Sequence, residues 1–260
     1  MENRGLEDVF RYFAFFQYAP SIEQIHTFYP KKISRAQLER LLTKEIGNKK
    51  LPYFLKSQRR VKEAAKKVNL VKNYVRLLSY IFCIQMVAVS GSIAVGNAKP
   101  NDDIDLFLVT KSGYLWTSRF IAVLLAYVMG LKRKRGVIHA PNKVCLNLFF
   151  DETDLALPKY KRNLYTAHEV LQVVPMVNKN HTYEQFMAKN NWVSSFFPNA
   201  AIPTVKKKSK KLTTHIGVIE MMLKKIQLWI MNPHRTTEII TDTQLWFLPR
   251  DMEKKLRGRL

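Results

Sequence analysis

Apolar positions along the chain recur with two periods, three to four residues in some stretches and two in others. The first fifty residues read as three short helices. The first spans Leu6 to Tyr18 and is rich in aromatics, the second starts at Ser21 and the third at Ser34. Gln24 and Gln37 each follow the starting serine by three residues. That spacing closes a capping box, which satisfies free amides of the first helical turn. Leu38, Leu41 and Leu42 give the third helix one apolar face, and Gly47-Asn48 ends it. Lys49 to Leu55 then reads as a short strand or wing, and Gln58 to Tyr80 as a long helix.

The pattern then alternates as in an α/β domain. Met86 to Ser90, Ile104 to Thr110 and Val144 to Phe150 are predicted strands, and Leu115 to Leu131 a buried helix. Thr166-Ala167-His168-Glu169 has capping-box spacing and opens a helix that runs to about Val174 before Pro175. A further helix is predicted over Thr182 to Asn190. Beyond the basic run Lys206 to Lys211, Ile216, Ile219, Leu223, Ile226 and Ile230 line one face of a helix. The expectation is that this stripe packs on the rest of the protein. A homodimer seam and a membrane-surface helix are the alternatives.

Charge changes the picture more than composition does. The 260 residues carry 43 Lys+Arg against 20 Asp+Glu, a formal net charge of +23. Such a balance suits a polyanionic partner: nucleic acid, nucleotide phosphates or an acidic membrane surface. A generally basic proteome would give the same number. Three helices followed by a basic wing is the order of a winged-helix module, whose third helix enters the major groove of DNA. Here that helix carries Arg35, Arg40 and Lys44 against Glu39 and Glu45, so packing or dimerisation is an equal alternative. From Lys49 to Arg76 there are ten basic residues and one acid, either a solvated face or a stripe that tracks phosphates. Lys132-Arg133-Lys134-Arg135 forms a second basic cluster.

Cys83 and Cys145 lie in apolar runs and read as buried free thiols of a reducing cytosol. The polar start is no signal peptide, and the 12 apolar residues from Phe120 to Leu131 are too few for a transmembrane segment. The expected location is cytoplasmic. The six histidines are scattered without metal-ligand spacing.

Chemistry is concentrated between Val87 and Val109. An apolar strand runs into Gly91-Ser92, where the bare glycine lets backbone approach an anion and the serine adds a hydroxyl donor. After ten intervening residues, Asp103 and Asp105 stand at i and i+2 of a strand, both carboxylates on one face, with Ile104 and Leu106 on the other. Adjacent carboxylates repel unless a cation lies between them, and Mg²⁺ bound by carboxylates and substrate phosphates meets that need.

Gly91-Ser92, the ten-residue gap and Asp103-Ile104-Asp105 resemble the signature of the DNA polymerase beta superfamily of nucleotidyltransferases. A wider resemblance, to a bacterial branch of such proteins, runs from about Leu6 to Asn199. The resemblance implies that Gly91 and Ser92 hold a nucleoside triphosphate, and that Asp103 and Asp105 hold Mg²⁺ (or Mn²⁺). It also implies transfer of a nucleoside monophosphate to a hydroxyl acceptor, a nucleic acid among the candidates, and a third carboxylate on a later strand. Asn147 stands where that acid is expected, and an amide is no general base. Asp151 at the strand end is the fallback, with Asp154 behind it. Asp102 departs from the small hydroxyl residue usual there and is expected to cap the turn or add negative charge. A nucleotide- or DNA-binding regulator without turnover is the alternative function.

The expected fold class is α/β: a nucleotidyltransferase-like mixed sheet with flanking helices, an N-terminal winged-helix-like module and a C-terminal helical region. The expected divisions are 1–57 for the module, 58–82 for a basic linker helix, 83–200 for the nucleotidyltransferase-like domain and 201–260 for the basic linker and helical tail.

Overall fold

A computed structural model of the chain describes residues 2–46, 58–133, 137, 140–205, 217–234 and 237–247. The elements run α1 (Glu2–Phe15), α2 (Ile22–Phe28), α3 (Arg35–Ile46), α4 (Gln58–Ser79), β1 (Ile84–Val89), α5 (Gly91–Ala94), β2 (Ile104–Thr110), α6 (Leu115–Val128), β3 (Val144–Asp151) and α7 (Leu164–Gln172). They continue with β4 (Val174–Asn178), α8 (Thr182–Lys189), α9 (Val218–Met231), β5 (Ile239–Ile240) and β6 (Gln244–Trp246). The six strands form one mixed sheet in the order β4-β1-β2-β3-β6-β5. Only β2 and β3 run parallel, with α6 as their crossover.

Both faces of the sheet are covered, which is why β1 is apolar apart from Gln85 and wholly buried. Ile84, Val87 and Val89 of β1 and Ile104, Leu106 and Leu108 of β2 pack on one side with α4, α6 and Met231 of α9. Met86, Ala88, Phe107 and Val109 face the other side, where α1, α2 and α7 lie. The three N-terminal helices, expected as a winged-helix module, thus share an apolar cluster with the sheet and α7. The wing expected at 49–55 lies outside the described residues, as do Lys134, Arg135 and the run 206–211. Within this helix trio, Arg35 is held by Glu23 at 2.9 Å and Glu39 at 3.1 Å.

Local signals are obeyed where they concern caps. Ser21 and Gln24 bond reciprocally, as do Ser34 and Gln37. The start of α7 differs: Asn163 caps it with Thr166 as its reciprocal partner, three residues before the expected cap. Glu169 is thereby freed from any capping role. Val174–Asn178, expected as a helix end and break, is a strand. Pro175 is tolerated there because β4 is the sheet edge, where a missing N–H breaks no central ladder.

The C-terminal helix departs furthest from expectation. Of the apolar stripe expected to pack, Ile216 lies outside the described residues and Leu223 packs on the core, yet the buried positions of α9 are Glu220, Gln227 and Met231. Glu220 accepts from the Trp116 and Thr117 amides at 2.6 and 2.9 Å, and so caps the start of α6 from outside. Gln227 donates to the Trp116 carbonyl at 2.9 Å. Polar docking of this kind turns Ile219, Ile226 and Ile230 toward solvent.

His168 anchors the helical side of the core. Its ring stacks on Tyr12 and Phe28, with centroids at 3.4 and 4.4 Å, and Nδ1 donates to the Leu164 carbonyl at 2.9 Å. Burial pulls the imidazole down to about 3 from an ordinary 6.5. The unfolded chain binds a proton near 6.5 that the folded chain refuses, so this contribution is whole above 6.5 and lost as the pH falls toward 3. Urea unfolding of the native chain is expected to weaken by about 1.4 kcal/mol per pH unit relative to His168→Phe through that window. Parallel pH profiles for the two chains would contradict the assignment.

Candidate active site

Asp103, Asp105, Gly91 and Ser92 meet because β1 and β2 are antiparallel neighbours joined through α5. Val89 pairs with Leu106, and the Ser90 amide donates to the Asp105 carbonyl at 3.1 Å. Gly91 has φ +61°, and a Cβ built on it would lie 2.9 Å from Asp105 Oδ2. The glycine is thus required twice, for its backbone and for the carboxylate pressed against it. Asp102 caps the intervening turn: its Oδ2 accepts from the Ser92 hydroxyl at 2.9 Å and the Lys99 amide at 2.8 Å. The cap is thus one of the two roles expected of Asp102, and it engages the Ser92 hydroxyl.

A β-bulge brings in Asn147. Leu106 pairs with Leu146 but Phe107 with Leu148, so Asn147 is the extra residue of β3. Strict alternation would have set Cys145, Asn147 and Phe149 on one face. The bulge instead sends Phe149 to the α4–α6 side and Leu148 to the other. Asn147 Nδ2 donates to Asp105 Oδ1, and its own Oδ1 accepts from the Cys145 thiol at 2.7 Å. Asp151 does not reach the site. It pairs with Thr110 while Cys145 pairs with Asp105, which separates the two acids by five paired positions, about 16 Å. Its carboxylate accepts from the Gly113 amide at 3.0 Å and the Thr153 amide at 2.9 Å, holding loops at the far end of the sheet. Asp154 is bound there too, to the Thr243 hydroxyl at 2.7 Å.

The donor atoms of Asp103, Asp105 and Cys145 lie within 4.8 Å of one another. Burial first, and then the Asp103 charge, push the Asp105 carboxyl up to about 8, against the lowering bond from Asn147. Burial and both aspartates push the Cys145 thiol up to about 12. One cation is already present. Arg133 Nη1 lies 2.6 Å from Asp103 Oδ2 and 3.6 Å from Cys145 Sγ, while its Nε and Nη2 donate to the Val137 carbonyl.

Beside these groups is a cavity of about 290 Å³, near the lower end for small-molecule sites. Gly91, Ser92, Asp105 and Asn147 line one wall, and Tyr12, Phe16, Phe107, Tyr165 and Trp246 are among its aromatics. Glu169 lines it from α7, raised to about 7 by burial, and lies close enough to add to the upward push on Asp105. Sequence reasoning passed over Glu169 by assigning it to a capping box. The available signal was a charged residue three places after Thr166 and next to Val170, on the apolar side of α7. Arg133 was likewise read only as part of a basic loop.

No protein-family model, no curated protein and no solved structure matches the chain. The likeness to the DNA polymerase beta superfamily therefore rests on these residues alone.

Gly91→Ala is expected to cost about 1–2 kcal/mol through its backbone conformation. The added methyl must also displace the Asp105 carboxylate. Chemical denaturation checks the first effect, and loss of the Asp105–Asn147 contact in an NMR spectrum the second. A variant as stable as the native chain would contradict the close approach.

Proposed function

We propose that the chain is a divalent-cation-dependent nucleotidyltransferase. It would move a nucleoside monophosphate from a nucleoside triphosphate to an acceptor hydroxyl and release pyrophosphate. The observation that carries this reading is the meeting of Gly91, Ser92 and Asp105 in the wall of an aromatic cavity, with the Asp103 carboxylate within 4.8 Å of that of Asp105.

The donor set fits a hard cation. Two carboxylates this close, one of them driven up to about 8 by burial first and by its neighbour's charge second, are relieved by positive charge between them, and carboxylate oxygens suit Mg²⁺ or Mn²⁺. Asp103 and Asp105 would hold the ion, which when bound neutralises charge on the triphosphate and on the departing pyrophosphate. Gly91 leaves backbone bare beside Asp105, and the aromatic wall offers stacking surface to a base.

In the transfer, the acceptor oxygen bonds to the α-phosphorus while the α–β bridging bond breaks, and its electron pair leaves with pyrophosphate. The acceptor proton needs a base. Asn147 cannot take it, whereas Glu169, close to half ionised near pH 7, is suited to do so. With a net charge of +23 the acceptor is itself best read as polyanionic, such as an RNA or DNA end.

A nucleotide-binding module without turnover is the second reading. It is favoured by the Arg133–Asp103 ion pair and by the Asn147 amide on Asp105, each of which gives a carboxylate a partner in place of a metal.

The test is transfer from labelled nucleoside triphosphates with Mg²⁺ or Mn²⁺. Asp103→Asn or Asp105→Asn is expected to lower the rate by at least about a hundredfold. Activity should rise with pH through about 7 to 8, because Glu169 works only after losing its proton and Asp105 holds the ion best once ionised, and Glu169→Gln should remove the lower part of that rise. Nucleotide binding without transfer, unchanged by removing the metal, would favour the second reading. Neither transfer nor binding would refute both.

A further inference from the structure

We propose that the outer face of the α4–α6–α9 layer is a docking surface for an anionic lipid membrane, on which the protein lies without crossing it. The proposal is independent of the nucleotidyl-transfer reading.

The starting observation is the inverted packing of α9. Its Glu220 and Gln227 face α6 and Leu223, Leu228 and Met231 pack on the core, while most of its other apolar side chains face water. Val218, Ile219, Met222, Ile226, Trp229 and Ile230 are all exposed, Trp229 to 78% and Ile219 to 71%. Large side chains at such positions are normally the ones a helix buries. The same inversion recurs on α6, where Phe120, Leu124, Tyr127 and Val128 follow helical spacing on the outer side. Tyr127 and Val128 are 69% and 73% exposed. On α4, Leu70, Leu77 and Tyr80 just beyond its end continue the pattern. These three helices pack over one face of the sheet, so their outward stripes belong to one layer. A neighbouring set of exposed apolar groups marks a site of interaction.

Charge decides the occupant. Arg59, Lys62, Lys66, Lys72 and Arg76 on α4, and Lys225 on α9, are exposed cations. The acids of these helices are otherwise engaged. Glu63 stands 3.8 Å from buried Lys67, Glu220 is buried on α6, and α6 has no acid in its sequence. The surface is therefore apolar, aromatic and basic together. A nucleic acid would meet the cations but leave Val, Ile and Met in water. A second copy would cover the apolar groups but press one basic rim on another, on a chain of charge +23. Anionic lipid satisfies both halves, with acyl chains for the aliphatics, headgroup phosphates for the cations, and the interface for Trp229, Tyr127 and Tyr80. No helix among the described residues is long and apolar enough to span the bilayer, so the attachment is peripheral.

The experiment is co-sedimentation of the full chain with phosphatidylcholine vesicles, with and without phosphatidylglycerol, while Trp fluorescence is followed. Binding is expected to be at least about tenfold tighter with the anionic lipid, to weaken with salt, and to shift emission to the blue. The double variant Ile219→Ser/Trp229→Ser should lose binding by about tenfold or more, while its melting temperature is held, since both residues are exposed in the folded chain. Lys225→Glu provides a second, charge-only test in the same direction. Absence of vesicle binding, equal binding to the neutral lipid, or a dimer in sedimentation equilibrium that the double variant abolishes would each overturn the proposal.

Discussion

A single buried ammonium holds the candidate site in register. Lys67 on α4 is fully buried, and its Nζ donates to the carbonyls of Pro100 and Asp102 and to the side-chain oxygen of Asn142, at 2.8–3.0 Å. Those three acceptors sit on the loop that enters β2 and the loop that enters β3. A buried charge is tolerated only when its donors are satisfied, and here all three are used. The Asp102 carbonyl is thereby tied to α4 while its carboxylate ties Ser92 and the Lys99 amide. Asp103 is the next residue along. The position of the aspartate pair thus depends on a helix that contributes no group to the cavity wall.

The second constraint is electrostatic. Asp103 and Asp105 are crowded by geometry, and the protein answers with three neutralising devices: Arg133 on Asp103, the Asn147 amide on Asp105, and a raised proton affinity at Asp105 itself. A divalent ion would do the work of all three. The same logic extends to Glu169, whose carboxyl shares the cavity and whose charge is disfavoured by burial. Placing acids in an aromatic enclosure is costly unless a partner brings compensating positive charge, which a divalent ion beside Asp103 and Asp105 would supply.

Much of this was legible in sequence because it was local. Apolar runs ending at Gly91 and resuming at Ile104 define β1 and β2, and antiparallel pairing then forces Gly91 onto Asp105. The serine caps of α2 and α3 are likewise short-range and were read correctly. What escaped depended on tertiary context. A one-residue bulge at Asn147 changes which side chains share a face, and no periodicity argument locates it. Asp151 was a reasonable third acid by proximity in sequence, but five paired positions carry it to the far end of the sheet. On α9 the apolar stripe was legible and its direction was not, since two polar residues supply the bonds that dock the helix. Of the basic residues on α4, Lys67 and Arg60 proved to be internal fasteners: Arg60 bonds Asn97 at 2.7 Å and the Gln17 carbonyl at 2.6 Å. A count of charges could not have separated them from their solvated neighbours.

The central claim is that Asp103 and Asp105 bind a divalent ion together with a nucleoside triphosphate held by Gly91 and Ser92. Paramagnetic broadening of backbone amide resonances by Mn²⁺, in the presence of a non-hydrolysable nucleoside triphosphate, tests it most directly. The account predicts selective broadening at Gly91, Ser92, Asp103 and Asp105 that sharpens when the nucleotide is left out. Broadening that spares those four residues, or that spreads over exposed acids regardless of nucleotide, would contradict it.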